Sequence, residues 1–521
     1  MAKFDPIELE LFKNIFVSIS EEMAAVLGRT ALSPNIKERK DFSCALFNNR
    51  GETFAQGSHI PVHLGAMPLS VQAALRAVHF EDGDLVVLND PYRGGTHLPD
   101  ITCISPVFID KGLTFFVANR AHHADVGGMT PGSMPLATEI FQEGLIIPPL
   151  KLIEKGKLRP DLLDLLLANV RTPEERKGDL LAQIASNEKG KQRLGEVIRK
   201  YGLNKILRYT QLIQLYTEKI LREAIKNIPD GTYSFTDHLD DDGIKEKPVK
   251  IAVRLKINND EAIVDFSSSS PQVEGGVNAN FAVTYSAVLY VFRCLVEEDI
   301  PFNTGLMRPI KIMVPKGSVL NAQPPAATAG GNVETSQRIV DVLLGALSQA
   351  IPEKIPAASS GTMNNIAIGG YDPLRKRNFA YYETIGGGMG GSDEFPGLSG
   401  VHTHMTNSLN TPLEALENYL PLRIRRYGLR RGSGGEGRKK GGEGIIREYE
   451  FFLPAQVTII SERRRFAPYG VRGGRSGKKG KNLLFSGRKK IPLSSKVNIK
   501  VSPGDVLRVE TPGGGGYGQK K

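Results

Sequence analysis

Two apolar, partly β-branched runs, Ile101–Phe108 and Leu113–Asn119, stand either side of Ile109-Asp110-Lys111-Gly112. A short gap containing Asp and Gly between such runs is turn chemistry, so the stretch predicts a β-hairpin. Its outer ends are heavily polar. Thr96-His97-Leu98-Pro99-Asp100 precedes the first run, and Arg120-Ala121-His122-His123-Ala124-Asp125 follows the second. The chain has only nine histidines in 521 residues, and His97, His122 and His123 are all at these two ends. With the turn centred near 110–111, antiparallel pairing sets Asp100 opposite about Ala121, where cross-strand Cβ atoms lie about 4.5–5.5 Å apart. Both polar sets then emerge together at the open end of the hairpin. Pro99 keeps Leu98 out of helix, and a bend there gathers His97 and Asp100 around one point. Neighbours in an extended chain face opposite ways. One of His122 and His123 therefore joins them, leaving the other for substrate or for support.

Two imidazoles with one or two carboxylates form a mixed nitrogen/oxygen donor set. Such a set suits zinc, manganese or ferrous iron, and differs from the thiolate cage of a structural zinc. An open position on such an ion would activate water or polarise a carbonyl. The competing reading is a polar cap that hydrogen-bonds the loops of the hairpin. The other histidines say less. His59 and His63 are four apart with Pro61 between them, which disfavours a helix. If extended they stand roughly 13 Å apart, and they read as polar lining or satisfied core residues. His402 and His404 would share one strand face, lining a pocket or hydrogen-bonding.

Over the whole length, 521 residues exceed one ordinary core and suggest two to four subdomains. The pattern predicts a mixed α+β chain: an N-terminal α/β region at 1–160 holding the polar hairpin, a helical region at 161–228, a central α+β region at 229–420, and a basic, strand- and glycine-rich region at 421–521. Helices are expected over the first forty residues and at Leu69–Val78, Ala282–Val296 and Ser336–Ala350. Another should begin at the capping box Thr411-Pro412-Leu413-Glu414. Gly330-Gly331-Asn332-Val333-Glu334-Thr335 runs into the 336–350 helix, and its amides could hold an anion or serve as plain helix entry. Gly386–Gly391 fits a dinucleotide fingerprint in form, but no helix follows it. There is neither a phosphate-binding Gly-x-x-x-x-Gly-Lys loop nor a Gly-x-Ser-x-Gly elbow.

With 40% apolar and 24% charged residues the balance is that of a globular chain. No apolar run approaches the length of a membrane span, and charges in the first ten residues stand where a secretion signal needs an apolar block. A cytoplasmic location is expected. Cys44, Cys103 and Cys294 are odd in number and widely spaced, and read as small buried residues with no disulfide. The net charge of +11 is uneven: Pro421–Lys490 holds 20 Lys/Arg against 5 Asp/Glu. Those cations are interleaved with glycine and lack regular aromatic stacking positions. They suggest solvated loops and a partner surface, and no nucleic acid is expected.

Many long segments in order give the chain a resemblance to the hydantoinase B/oxoprolinase family. They include Asn35-Ile-Lys-Glu-Arg-Lys-Asp-Phe-Ser, His59-Ile-Pro-Val-His-Leu-Gly, Thr96-His-Leu-Pro-Asp-Ile-Thr and Ala121-His-His-Ala-Asp-Val-Gly-Gly. Gly330-Gly-Asn-Val-Glu-Thr-Ser-Gln-Arg, Val401-His-Thr-His-Met-Thr-Asn and Thr511-Pro-Gly-Gly-Gly-Gly-Tyr-Gly extend it to the end. The resemblance implies the metal-carrying subunit of an ATP-dependent amidohydrolase that opens cyclic amides such as hydantoin, 5-oxoproline or lactams. It implies an ATP-binding A-type subunit as partner, in an expected heterotetramer with two copies of each chain. Subunits of ATP-dependent ketone carboxylases are similar too, which leaves that activity as an alternative. Carried over, the metal ligands are Asp41, His97, Asp100 and His122, with His123 as a possible replacement for His122. His123 or Asp125 is the group expected to move the proton.

Overall fold

The computed structural model describes residues 5–520. Helix α1 (Pro6–Thr30) starts on a proline at its first position, with the Asp5 carboxylate accepting from the Ile7 amide at 2.9 Å. Its stripe Phe12, Phe16, Ile19, Met23 and Leu27 is buried, as the helical spacing of those residues requires. A short helix α2 (Pro34–Lys37) follows. Strands β1 (Phe42–Asn48) and β2 (Thr53–Gln56), helices α3 (Pro61–Leu64) and α4 (Ala66–Ala77), and strand β3 (Leu85–Leu88) lead to the hairpin β4 (Asp100–Ile109) and β5 (Gly112–His122). With β6 (Leu150–Glu154) and β7 (Lys157–Leu158) they make an antiparallel sheet ordered β2-β1-β5-β4-β3-β6-β7. The hairpin is therefore central and both its faces are covered. Helix α4 lies on one face, and α1 with α6 (Pro173–Tyr201) lies on the other, after the shorter α5 (Pro160–Ala168).

The hairpin register differs by one from the simple count. Asp110 and Lys111 both have positive φ and form the tight turn. The ladder then slips between Val107 and Phe108, where β5 carries one extra residue. Beyond this bulge Asp100 pairs with His122, and Ala121 pairs with Ile101. The slip places an imidazole, and not a methyl group, directly across from the carboxylate.

Helix α7 (Leu203–Lys226) leads into a second sheet of β8 (Gly231–Leu239), β9 (Val249–Asn258), β10 (Glu261–Asp265) and β11 (Ile310–Met313), whose β10–β11 pair is parallel. Helices α8 (Phe281–Cys294) and α9 (Ser336–Ala350) pack together, and α9 lies on β8 and β9. The remaining chain forms two further sheets. One is β12 (Asn365–Asp372), β13 (Arg377–Glu383), β16 (Ala455–Ile460) and β19 (Lys496–Val501). The other is β14 (Leu422–Arg430), β15 (Gly444–Phe451), β17 (Lys481–Ser486), β18 (Lys489–Leu493) and β20 (Val506–Glu510), and helix α10 (Leu413–Tyr419) precedes it. The fold is mixed α+β with a strand-rich C-terminal part, as the sequence indicates. Among the described residues no helix is long and apolar enough to cross a membrane.

Four local expectations are corrected. Pro61 does not prevent a helix; it occupies the first position of α3, where a missing amide hydrogen costs nothing. The capping box at Thr411 does not form: Pro412 is the cap residue, and the Thr411 hydroxyl is engaged by Tyr381 at 2.8 Å. Cys44 and Cys103 are buried but Cys294 is exposed. Finally, the glycines among the basic residues of 421–490 are not all in solvated loops: Gly435, Gly437, Gly441 and Gly442 are buried, and Gly435, Gly437 and Gly441 pack on the C-terminal backbone. Gly513–Gly516 are all buried, and the Gly514 amide donates to Gly442 while its carbonyl accepts from Gly435. A Cβ on Gly514 would lie 2.0 Å from the Met389 oxygen, so this part of the core is backbone packed on backbone.

Candidate metal centre

His97 is carried by the turn before β4. That turn is fixed by its backbone: Asn89 Nδ2 donates to Leu98 O at 2.8 Å and Asn280 Nδ2 to Thr96 O at 2.6 Å. Gly94, with φ +90°, starts it, and a Cβ there would lie 2.5 Å from Leu69 O. The buried Arg120 also holds this loop, donating to Thr102 Oγ1 and Ser70 Oγ at 2.8 and 2.6 Å and to Gly94 O at 3.4 Å. The bulged register then brings His122 across from Asp100. His97 Nε2 and His122 Nδ1 are each 3.1 Å from Asp100 Oδ1 and 3.2 Å from one another. The three side chains are buried, and their ligand atoms form the one such His/Asp group found among the described residues.

These atoms fit a divalent ion. Donors about 2.0–2.1 Å from one ion stand about 2.8–3.4 Å apart in octahedral or tetrahedral arrays, a range that includes the sides of the triangle. The protonation states fit too. Burial works against the Asp100 charge, but His97, His63 and His122 beside it overcome this and hold the carboxyl well below its usual range. Burial pushes His122 down, toward the neutral form a ligand needs. His97 Nδ1 and His122 Nε2 have no hydrogen-bond partner within the chain.

The surroundings orient the set. The His122 ring stacks on Tyr382, with centroids 4.4 Å apart and planes 22° apart. Tyr382 donates to Asn365 Oδ1 at 2.6 Å, and Asn365 Nδ2 donates to Glu334 Oε1 at 2.6 Å. Asp100 Oδ2 faces away from the triangle, toward Thr96 Oγ1 at 2.6 Å and His63 Nε2 at 3.3 Å. His63, Arg120 and Tyr382 were not among the residues expected at the site. Arg120 stands two before His122 and so on the same strand face, a signal available in the sequence; His63 and Tyr382 arrive only through tertiary packing.

The other expected residues are placed as follows. Asp41 precedes β1; its carbonyl accepts from the His122 amide at 3.0 Å, and its carboxylate is 3.6 Å from Arg39 Nη2, outside the triangle. His123 points to the opposite face of β5, where Nε2 meets Gln183 Oε1 of α6 at 2.9 Å. Asp125 is tied to the Gly127 and Gly132 amides and to Arg171 at 3.0–3.2 Å. Neither contributes an atom to the triangle. His59 borders a surface cleft of about 790 Å³ between α1 and α2. His402 and His404 are in loop, not strand, and burial lowers both to about 4. The amides expected at 330–335 serve the protein itself: Gly331 N donates to Gly276 O, and the Thr328 and Ala329 amides before it donate to the buried Glu143 carboxylate at 2.7 and 2.8 Å. Residues 331–335 form a π-helical turn ahead of α9.

The fold and this triangle define an α+β protein whose central hairpin presents a buried His–Asp–His donor set suited to a divalent ion. Comparison with known proteins agrees with that class. The family model for hydantoinase B/oxoprolinase matches residues 5–520, and the chain belongs to that family. It is 42% identical to 5-oxoprolinase 1 of Arabidopsis thaliana over 99% of its own length, yet spans only 42% of that longer protein. The crystal structure of an ATP-dependent caprolactamase from Pseudomonas jessenii superposes with a TM-score of 0.93 at 28% identity, covering 99% of this chain and 92% of that one. An acetone carboxylase chain shares the fold, with a TM-score of 0.92 at 18% identity over 99% of this chain and 76% of that one.

Proposed function

We propose that this chain is the metal-carrying subunit of an ATP-dependent enzyme that hydrolyses cyclic amides, acting with a separate ATP-binding A-type chain. The observation that carries this reading is the buried triangle of His97, Asp100 and His122, set in a chain similar throughout to a 5-oxoprolinase and a caprolactamase. Asp41, held beside His122 through its carbonyl, is the fourth residue assigned to the site. A divalent ion held there supplies Lewis acidity to a carbonyl or to water. The chain's own part is to keep Asp100 ionised and His122 neutral, to fix the imidazoles through Tyr382 and the His97 turn, and to exclude bulk water by burial. The partner is inferred from the length of Arabidopsis 5-oxoprolinase 1, more than half of which has no counterpart here. The test is the purified pair of subunits with ATP and 5-oxoproline, hydantoin or a lactam. Turnover of at least one ring is expected only with both chains and ATP present. Bicarbonate-dependent consumption of a ketone, with no ring opened, would replace this reading with the carboxylase one.

A further inference from the structure

Asp100 has two oxygens with separate tasks. Oδ1 lies 3.1 Å from both His97 Nε2 and His122 Nδ1. Oδ2 lies 3.3 Å from His63 Nε2 and accepts from the Thr96 hydroxyl at 2.6 Å. The far side of the His63 ring, Nδ1, is 3.0 Å from Ser43 Oγ. An ionised carboxylate only accepts, so His63 Nε2 carries the hydrogen toward Asp100, and the other ring nitrogen shares a hydrogen bond with the Ser43 hydroxyl. The result is a Ser43–His63–Asp100 line drawn from β1, α3 and β4. It resembles the residue set of a serine nucleophile, with Ser43, His63 and Asp100 each at most 1% exposed, but Ser43 stands at the end of the line farther from the His97–Asp100–His122 triangle. The line instead points inward, at the oxygen of Asp100 that the triangle does not use. The short helix α3 is held independently, through the Val62 amide on Met405 O and the Gly65 amide on Ser286 Oγ. The imidazole therefore has a fixed base from which to hold the carboxylate.

We propose that His63, backed by Ser43, is a positioning residue for the candidate metal centre: it retains Asp100 Oδ2 so that the carboxylate offers Oδ1 alone to an ion. This rests on the metal reading above. Without the His63 donor, Oδ2 is free to turn toward the ion, giving two-oxygen coordination and a poorer fit for the two imidazoles. Loss of such a supporting contact typically weakens metal binding by about ten- to a hundredfold.

The experiment uses the full-length chain, with zinc and manganese titrated separately against a competing chelator. His63→Leu is expected to weaken affinity by about ten- to a hundredfold. His63→Gln, which keeps an N–H donor, should remain close to wild type. Ser43→Ala should lose about threefold or more, the size of one modest hydrogen bond. X-ray absorption of the zinc form should show one more oxygen on the ion in His63→Leu than in the wild type, the added atom being Asp100 Oδ2. Unfolding of the metal-free variants separates these effects from loss of fold. If His63→Leu does not fold, Ser43→Ala decides: weakened binding supports the inference and unchanged binding overturns it. Wild-type affinity and coordination in His63→Leu would overturn it alone, as would a His63→Gln affinity as poor as that of His63→Leu. A wild-type chain that binds neither ion would overturn the metal reading and this inference together.

Discussion

A buried carboxylate survives only with partners, because burial alone would neutralise it. Asp100 has His97, His122, His63 and Thr96 around it. Glu334 shows the opposite outcome. Burial, and then the nearby Glu462, raise its carboxyl to about 8, although Asn365 Nδ2 and the Met363 amide donate to one of its oxygens. Glu334 is then protonated at neutral pH. A carboxyl raised on folding contributes stability that is fully present below its unfolded pKa, about 4.3, and is lost as pH rises through the folded value. The wild type should therefore lose melting temperature from pH 6 to 9 more steeply than Glu334→Gln. Thermal unfolding across that range checks this; parallel curves would mean that Glu334 is already ionised.

Among the elements, the hairpin was the most legible in the sequence. The two runs, their turn and the polar ends all follow from local chemistry, and so does the separation of His122 from His123 by strand alternation. The one-residue bulge was not legible, because a slip in pairing depends on how both faces pack and leaves no mark in the turn residues. His63 is a satisfied core residue, as the sequence suggests, but its helix is not legible, because Pro61 disfavours a helix interior while suiting a first helical position. Tyr382 and Glu334 reach the site from β13 and from the π turn before α9, contacts between distant segments that a single sequence does not state. The basic stretch 421–490 reads as solvated loop because its cations are interleaved with glycine. In the fold its glycines allow backbones to touch. Gly514→Ala should cost about 2–4 kcal/mol, since the Met389 carbonyl cannot yield. Urea unfolding measures this, and a change under 0.5 kcal/mol, roughly the effect of an ordinary surface substitution, would show that the packing is looser.

For the molecule as a whole, the metal candidate is at the centre of the first of four sheets, and segments from residue 39 to residue 409 meet around Arg39 beside it. The candidate centre and its surroundings thus draw on widely separated segments, within a family match that runs from residue 5 to residue 520. Dependence on a partner belongs to this scale. The chain by itself should not open lactams, and an A-type chain expressed with it should co-purify. Lactam hydrolysis by the isolated chain would contradict this. The central claim, however, is the ion. Elemental analysis of the purified wild type, Asp100→Asn and His97→Ala tests it most directly, because Asp100→Asn removes charge with little change of volume and leaves the surrounding core intact. About one divalent ion per wild-type chain, with marked depletion in both folded variants, is the predicted result; equal metal content in all three proteins would contradict it.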